Sequence, residues 1–272
     1  MLQRLRAIFT SDPHANLKKV VGSTPIPCFP ASIQRVQRAL RDPSASMGTV
    51  GERIAADPTL SIDVLKLANS AAYGLRRPVS DAAHAARLLG RSEVESLVLG
   101  IGVRDALPRS IAGFDTAAFW RSSARRAAFA AAAAQRTQPR VARLAFTAGL
   151  LQDLAVPLLA QANPQDYRHV LATHRGGALA HTEQEQLGWD HAMVAGWLCD
   201  SWCFPEPLQQ AIAGHHSAAA PAPVRVAAEL DGDDLEPLVE AARTHLGFPP
   251  ESSLEVLAEA DEHASQVAGL FC

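Results

Sequence analysis

Few side chains in this sequence stand at spacings that chemistry requires. Cys199 and Cys203 lie four residues apart, one helical turn, so a helix would place both thiols on one face. No second cysteine pair or adjacent histidine completes a four-ligand zinc pattern with them. With Cys28 and Cys272 they read as reduced thiols of a cytoplasmic chain. Serine, histidine and aspartate all occur, yet no Gly-x-Ser-x-Gly elbow presents a serine as nucleophile. The glycines follow no phosphate-loop spacing either. The densest charge feature is Arg121, Arg125, Arg126, Arg136, Arg140 and Arg143. It could contact an acidic partner or a nucleotide phosphate, and its plainer reading is a solvated helix face. Trp120, Trp189, Trp197 and Trp202 could stack on a nucleobase, but with aromatics at 6% of the chain they read as core anchors.

The elements that position these groups are helices. Of 272 residues, 48% are hydrophobic and 19% charged, enough apolar matter for a buried core and too little charge for a disordered chain. A net charge of −3 favours neither nucleic acid nor an anionic membrane as partner. No apolar run approaches the roughly 20 residues of a membrane-spanning helix, and the first residues read poorly as a secretion signal. Alanine and leucine recur while β-branched runs are short. Residues 1–22 read as a basic amphipathic segment with a turn at Ser11-Asp12-Pro13. The prolines of Pro25-Ile26-Pro27-Cys28-Phe29-Pro30 exclude a helix and predict an extended strap lying on the body, with Pro30 opening the next helix. Ser46, Asp57 and Asp190 read as N-caps, and Gly90 as the stop of a helix over 80–89. The apolar run 97–103 fits a strand or a helix and is assigned as helix from its neighbours. Later helices are expected around the alanine-rich 127–134, then 144–151, 154–159, 181–187, 208–216, 224–230, 235–246 and 253–270. Gly176-Gly177 reads as a turn and 218–223 as a small-residue linker. The expected class is all-α, one unit with a seam near residue 110.

Several passages together resemble one family. They are the strap at 26–30, Asp57-Pro58-Thr59-Leu60, the stretch Leu65 to Tyr73 containing Asn69-Ser70, and Leu88-Leu89-Gly90. Phe146 to Asp153, Glu185 to His191, Trp202-Cys203-Phe204-Pro205 and His215-His216 continue the pattern in order. The chain is similar to the HDOD family, the HD-related output domains of the HD-domain superfamily. The resemblance implies an HD-like multi-helical bundle with an N-terminal helical subdomain. It divides the chain into an N-terminal segment 1–21, the domain 22–217 and a helical extension 218–272 packed on it. The motif residues so implied are Asp57, Asn69, Ser70 and Tyr73; helix capping and a buried amide network are the physical reading of Asp57 and Asn69.

Hydrolysis by an HD domain needs one or two divalent cations held by imidazole and carboxylate groups, which acidify a bound water. The superfamily supplies a His, an adjacent His-Asp pair, further His residues and a closing Asp. Where the first His falls, this chain has Arg121-Ser122-Ser123. The adjacent pair is Gln152-Asp153, and His191 and His215-His216 match the later histidines. The closing Asp falls near Ala228, with Glu229 one position off. The neutral oxygens of Ser122 and Gln152 bind borderline metals weakly. Asp153, His191, His215 and His216 remain, and they could hold one divalent metal weakly or hydrogen-bond one another around a polar core. The expectation is an eroded site without catalytic residues, metal or cofactor, with Arg121, Arg125 and Arg126 as possible binding residues.

The resemblance also implies bacterial signal transduction without catalysis. The roughly 22 residues before the strap cannot encode a receiver domain, so signalling proteins are expected as partners in trans, with no nucleic acid or membrane involved. Movement between 22–110 and 111–272 could tune that recognition. The competing expectations are a residual metal-dependent phosphohydrolase or phosphodiesterase, and a nucleotide-binding sensor without turnover.

Overall fold

At one helix start after another, a side-chain oxygen answers the first free N–H groups. Asp12 accepts from His14 N at 2.9 Å, Ser46 from Thr49 N at 3.1 Å and Asp57 from Leu60 N at 3.1 Å. Asp81 serves His84 N at 2.6 Å, Asp115 serves Ala118 N at 2.8 Å and Asp190 serves Met193 N at 2.7 Å. The Asp57 carboxyl is held below its usual range, foremost by the Leu60 N–H, as a capping carboxylate should be.

The computed structural model describes residues 10–70, 78–230 and 232–271. These form α1 (Pro13–Val21), α2 (Ala31–Arg41), α3 (Met47–Ala55), α4 (Pro58–Ala68), α5 (Ala82–Leu89) and α6 (Arg91–Ala106). Beyond the seam come α7 (Thr116–Thr137), α8 (Ala142–Leu151), α9 (Val156–Ala162), α10 (Asp166–Thr173), α11 (Gly176–Leu187) and α12 (His191–Ser201). The chain closes with α13 (Glu206–Ala213), α14 (Ala222–Ala227), α15 (Glu236–Leu246) and α16 (Pro250–Ala268). The protein is all-α, and among the described residues the β pairing is an isolated bridge, Ile111 to Phe114, at the seam. The ambiguous run 97–103 lies inside α6, buried throughout. Gly90, at φ +78°, ends α5 and opens α6 in a single residue.

Helix α8 is the hub. It packs along α7 and touches α6, α13 and α14, while α16 covers the other side of α7. On the far side of the seam α3 sits on α5, and α2 on α3 and α6. The proline strap lies on the body as expected. Phe29 is buried between Trp202 and Phe204, ring centroids 5.2 and 5.4 Å away, and Trp202 Nε1 donates to Pro27 O at 3.0 Å. The tail ties the two sides together: Phe271 stacks on Trp120 at 4.9 Å, and Arg104 donates to Leu270 O at 2.5 Å.

Several expectations need correction. Ser11-Asp12-Pro13 is the start of α1, because Asp12 caps and Pro13 needs no N–H there. Pro30 precedes α2 as its cap residue. Gly176-Gly177 opens α11 rather than marking a turn, and α10 had no counterpart in the sequence reading. His215 and His216 lie beyond the end of α13, which stops at Ala213. The stretch 139–162 is, by length and composition, apolar enough to cross a membrane, but 78% of its most apolar window is buried inside the protein, where it forms α8 and α9.

Asn69 acts as a clasp. Its Nδ2 donates to Val79 O at 2.8 Å and its Oδ1 accepts from Val79 N at 2.7 Å, so one amide replaces a strand pairing. The Ser70 hydroxyl is buried without a partner among the described residues; Tyr73 lies outside them. Asn69→Ala removes both bonds and strands two Val79 backbone groups, which should cost about 2–3 kcal/mol. Urea unfolding measures it; an unchanged midpoint would show that the clasp contributes nothing.

Candidate functional site

The histidines, Asp153 and an unexpected pair of charges meet where α7, α8, α11 and α12 converge. The approach begins with backbone. A Cβ on Gly149 would lie 3.0 Å from Ala127 Cα and 3.0 Å from Arg126 O, tighter than ordinary contact, so any side chain there would push α8 off α7 by a few tenths of an ångström. Four residues on, in the turn just past the end of α8, stands Asp153, within reach of the side chain of Arg126.

Asp153 has one oxygen for each of two neighbourhoods. Its Oδ2 takes the Arg126 guanidinium at 2.8 Å, with Arg126 5% and Asp153 18% exposed at the side chain. Its Oδ1 faces His191 Nε2 at 3.3 Å and His215 Nε2 at 3.4 Å. His191 Nε2 in turn lies 3.2 Å from His215 Nε2 and 3.1 Å from His216 Nε2. Behind His191, the fully buried Glu183 on α11 takes both the His191 Nδ1 and its backbone N–H at 2.7 Å through Oε2. The hydroxyl of buried Tyr167 holds the other Glu183 oxygen. His215 Nδ1 lies 2.6 Å from Ile212 O.

These contacts set the charges. Burial works against an ionised Asp153, but Arg126, followed by the His191 and His215 contacts, holds its carboxyl well below the usual range. Burial also opposes a charged His191, yet Asp153 and Glu183 on its two sides push its pKa up to about 10. His216 goes the other way, down to about 2, through burial and then its imidazole neighbours.

Each expected residue can now be placed. Ser122 lines a cavity of about 340 Å³ with Arg126 and Asp153 rather than joining the histidines. Gln152 is 1% exposed, and neither end of its amide has a partner among the described residues. Glu229 does not close the site: its carboxylate bonds the Gly177 backbone at the start of α11, and burial raises its pKa. The arginine cluster is a solvated face only in part: Arg121, Arg136, Arg140 and Arg143 are exposed, with Arg136 reaching Glu259 of α16 at 2.6 Å, whereas Arg125 grips Asp261 of α16 at 2.6 and 3.0 Å and Arg126 is buried. Trp120, Trp189 and Trp202 are core residues. Cys199 is buried, which pushes its thiol pKa up, and Cys203 is exposed.

Sequence reasoning missed Glu183 and Tyr167. Glu183 stands four residues after Leu179, on the buried face of α11, and a carboxylate on an apolar face was the available signal. Tyr167 sat on a helix that was not foreseen.

The superfamily's pair of cations does not suit these residues. Two of the expected imidazoles are Ser122 and Gln152, and a fixed guanidinium occupies Asp153 Oδ2. Three imidazole nitrogens, of His191, His215 and His216, gather within 4.8 Å of one another, a group that could hold a single cation, with Asp153 Oδ1 facing two of them.

Comparison with known proteins adds the family. A family model described as the HDOD domain matches residues 26–218. An uncharacterized protein of Treponema pallidum is 25% identical over 196 residues, which are 71% of this chain; the chain spans only 38% of that relative's length. A protein of Shewanella amazonensis, provisionally named a phosphohydrolase, has a solved structure with a TM-score of 0.73 at 23% identity, covering 98% of this chain and 100% of its own. An HDOD domain protein of unknown function from Geobacter sulfurreducens gives 0.70 at 21% identity, covering 96% and 98%. At these identities the structures establish a shared HD-like, all-α fold.

Arg126→Met strips a buried carboxylate of its partner and should cost about 3–5 kcal/mol, whereas the double change with Asp153→Asn should regain most of it. Denaturant titration of the two variants decides; equal losses in both would deny that the pair is coupled.

Proposed function

The chain belongs to the HDOD domain family, a signalling-associated, HD-related family, and on that premise we propose that it is a non-catalytic signal-transduction module that works by binding signalling proteins in trans. One observation carries this reading: the buried Arg126–Asp153 ion pair, flanked by Ser122 and Gln152 where the superfamily places imidazoles. A hydrolytic HD centre uses its aspartate to hold cations that activate water. Here one oxygen of that aspartate is committed to a guanidinium that cannot lose its proton. Recognition is then the work left to the helical body.

The surface suits such recognition in its composition. Charged pairs such as Arg243–Glu240, at 2.7 Å, and Arg143–Glu93, at 3.3 Å, keep it mixed in sign, while Ile62, Leu88 and Leu254 are large apolar side chains exposed by 46–53%. The competing reading, a residual phosphohydrolase, draws on the name of the Shewanella protein.

A screen with bis-p-nitrophenyl phosphate and cyclic dinucleotides, with magnesium, manganese or zinc added, separates the two. No turnover above the protein-free control is expected. Turnover that a chelator abolishes and Asp153→Asn removes would replace recognition with hydrolysis. Affinity purification should in turn recover a signalling protein at a fixed ratio to the chain, and repeated failure to do so would count against the partner-binding half.

A further inference from the structure

We propose that the cleft at the seam docks the outer stripe of α16 from a second copy of this chain, so that the protein self-associates through a charge-matched contact. Behind this lies a segregation of charge that the net value of −3 conceals. Residues 218–272 carry eleven aspartates and glutamates against Arg225 and Arg243, a balance of −9, whereas residues 1–217 balance to +6. Opposite poles of this size on one chain steer its copies toward one another.

The acidic pole offers a knob. Val256, Leu257, Ala260 and Ala264 of α16 are buried against the core. The outward stripe runs Glu251, Leu254, Ala258 and Glu262, with Glu255 beside it, all exposed and at the three- and four-residue spacing of one helix face. Glu259 and Asp261 are taken up by Arg136 and Arg125 of α7, but Glu251, Glu255 and Glu262 have no ion-pair partner among the described residues. Leu254, 46% exposed, is thus an apolar side chain in an acidic surround.

The basic pole offers the hole, a cleft of about 490 Å³ where α4 and α6 meet α7 and the tail. Buried Trp120 and Phe271 line its floor, and Ile62, 53% exposed, forms an apolar step. Arg104 is tied down by Asp63, Asp105 and Leu270 O. Lys66 and Arg109 are 60% and 83% exposed, and they reach carboxylates only loosely, at 3.9 and 3.7 Å. A leucine entering here leaves water for apolar surface, while the acids beside it meet the two exposed cations.

Knob and hole cannot meet within one molecule. Phe271 lies just past the end of α16 at Ala268, whereas Leu254 stands fourteen residues before that end, roughly 21 Å along the helix. Arg125 and Arg136 also clamp α16 to α7. The stripe that enters a cleft is therefore another copy's, and each copy brings one knob and one hole. The inference goes beyond the partner-binding reading, and the purified chain alone tests it, so a strictly monomeric chain would leave that reading standing.

Sedimentation of the full chain at rising concentration, up to about 1 mM where even weak contacts show, should give a mass above that of one chain. Raising salt from about 0.1 to 1 M, which shortens the screening length from about 10 to 3 Å, should return it to monomer. Lys66→Glu with Arg109→Glu should weaken association about 10-fold or more, as should Glu251→Lys with Glu255→Lys, with helical circular dichroism unchanged. Mixing the two charge-reversed chains should restore it, because every cleft then faces a stripe of opposite sign. Leu254→Ser should weaken association without removing its salt dependence. A chain that stays monomeric throughout, reversed variants that associate as before, or a mixture that fails to recover would overturn the proposal.

Discussion

The close approach of α7 and α8 governs this protein. Gly149 and the alanines of α7 let two backbones come so close that a single extra methyl group would crowd them, since its carbon would stand 3.0 Å from Arg126 O and from Ala127 Cα. Because of that contact, Arg126 on α7 and Asp153 in the turn after α8 become ion-pair partners, the guanidinium buried and the carboxylate 18% exposed. Their closeness follows from packing before it follows from charge: two long helices wider apart would leave the guanidinium short of the carboxylate. The histidines then take their places around the oxygen of Asp153 that Arg126 does not use.

A buried polar cluster of this kind is costly unless its members satisfy one another. Here the chain of partners runs Tyr167, Glu183, His191, Asp153, Arg126, drawing on α10, α11, α12, the turn after α8 and α7. Each link fixes a rotamer on a different element, so the network sets how those elements sit as well as the charges within them. Gln152 is the exception, a buried amide with neither end bonded among the described residues. In position it follows the resemblance to a metal-binding pair; in chemistry it no longer takes part.

Outside the cluster, connections across the molecule are local and strong. The strap is held by Phe29 in an aromatic niche, the tail by Phe271 on Trp120 and by Arg104 on Leu270 O, and α16 by Arg125 and Arg136 of α7. A row of arginines that reads along the sequence as one charged face is thus divided among three tasks. Arg121, Arg140 and Arg143 stay near solvent, Arg125 and Arg136 hold α16, and Arg126 turns inward.

The amino-acid order alone settled much of what depends on near neighbours: most of the helices, the caps Ser46, Asp57 and Asp190, the strap, Gly90 as a helix stop and the motif series of the HDOD family. Capping, proline geometry and apolar periodicity act over a few residues, so they can be read without coordinates. The fate of Arg126, the part played by Glu183, the isolation of Gln152 and the diversion of Glu229 to Gly177 were decided by tertiary structure. Arg126 and Asp153 are 27 residues apart in sequence, and whether a charge on a helix meets water or another charge depends on which helix lies against it. That information resides in the packing of α7 on α8, where no local rule reaches.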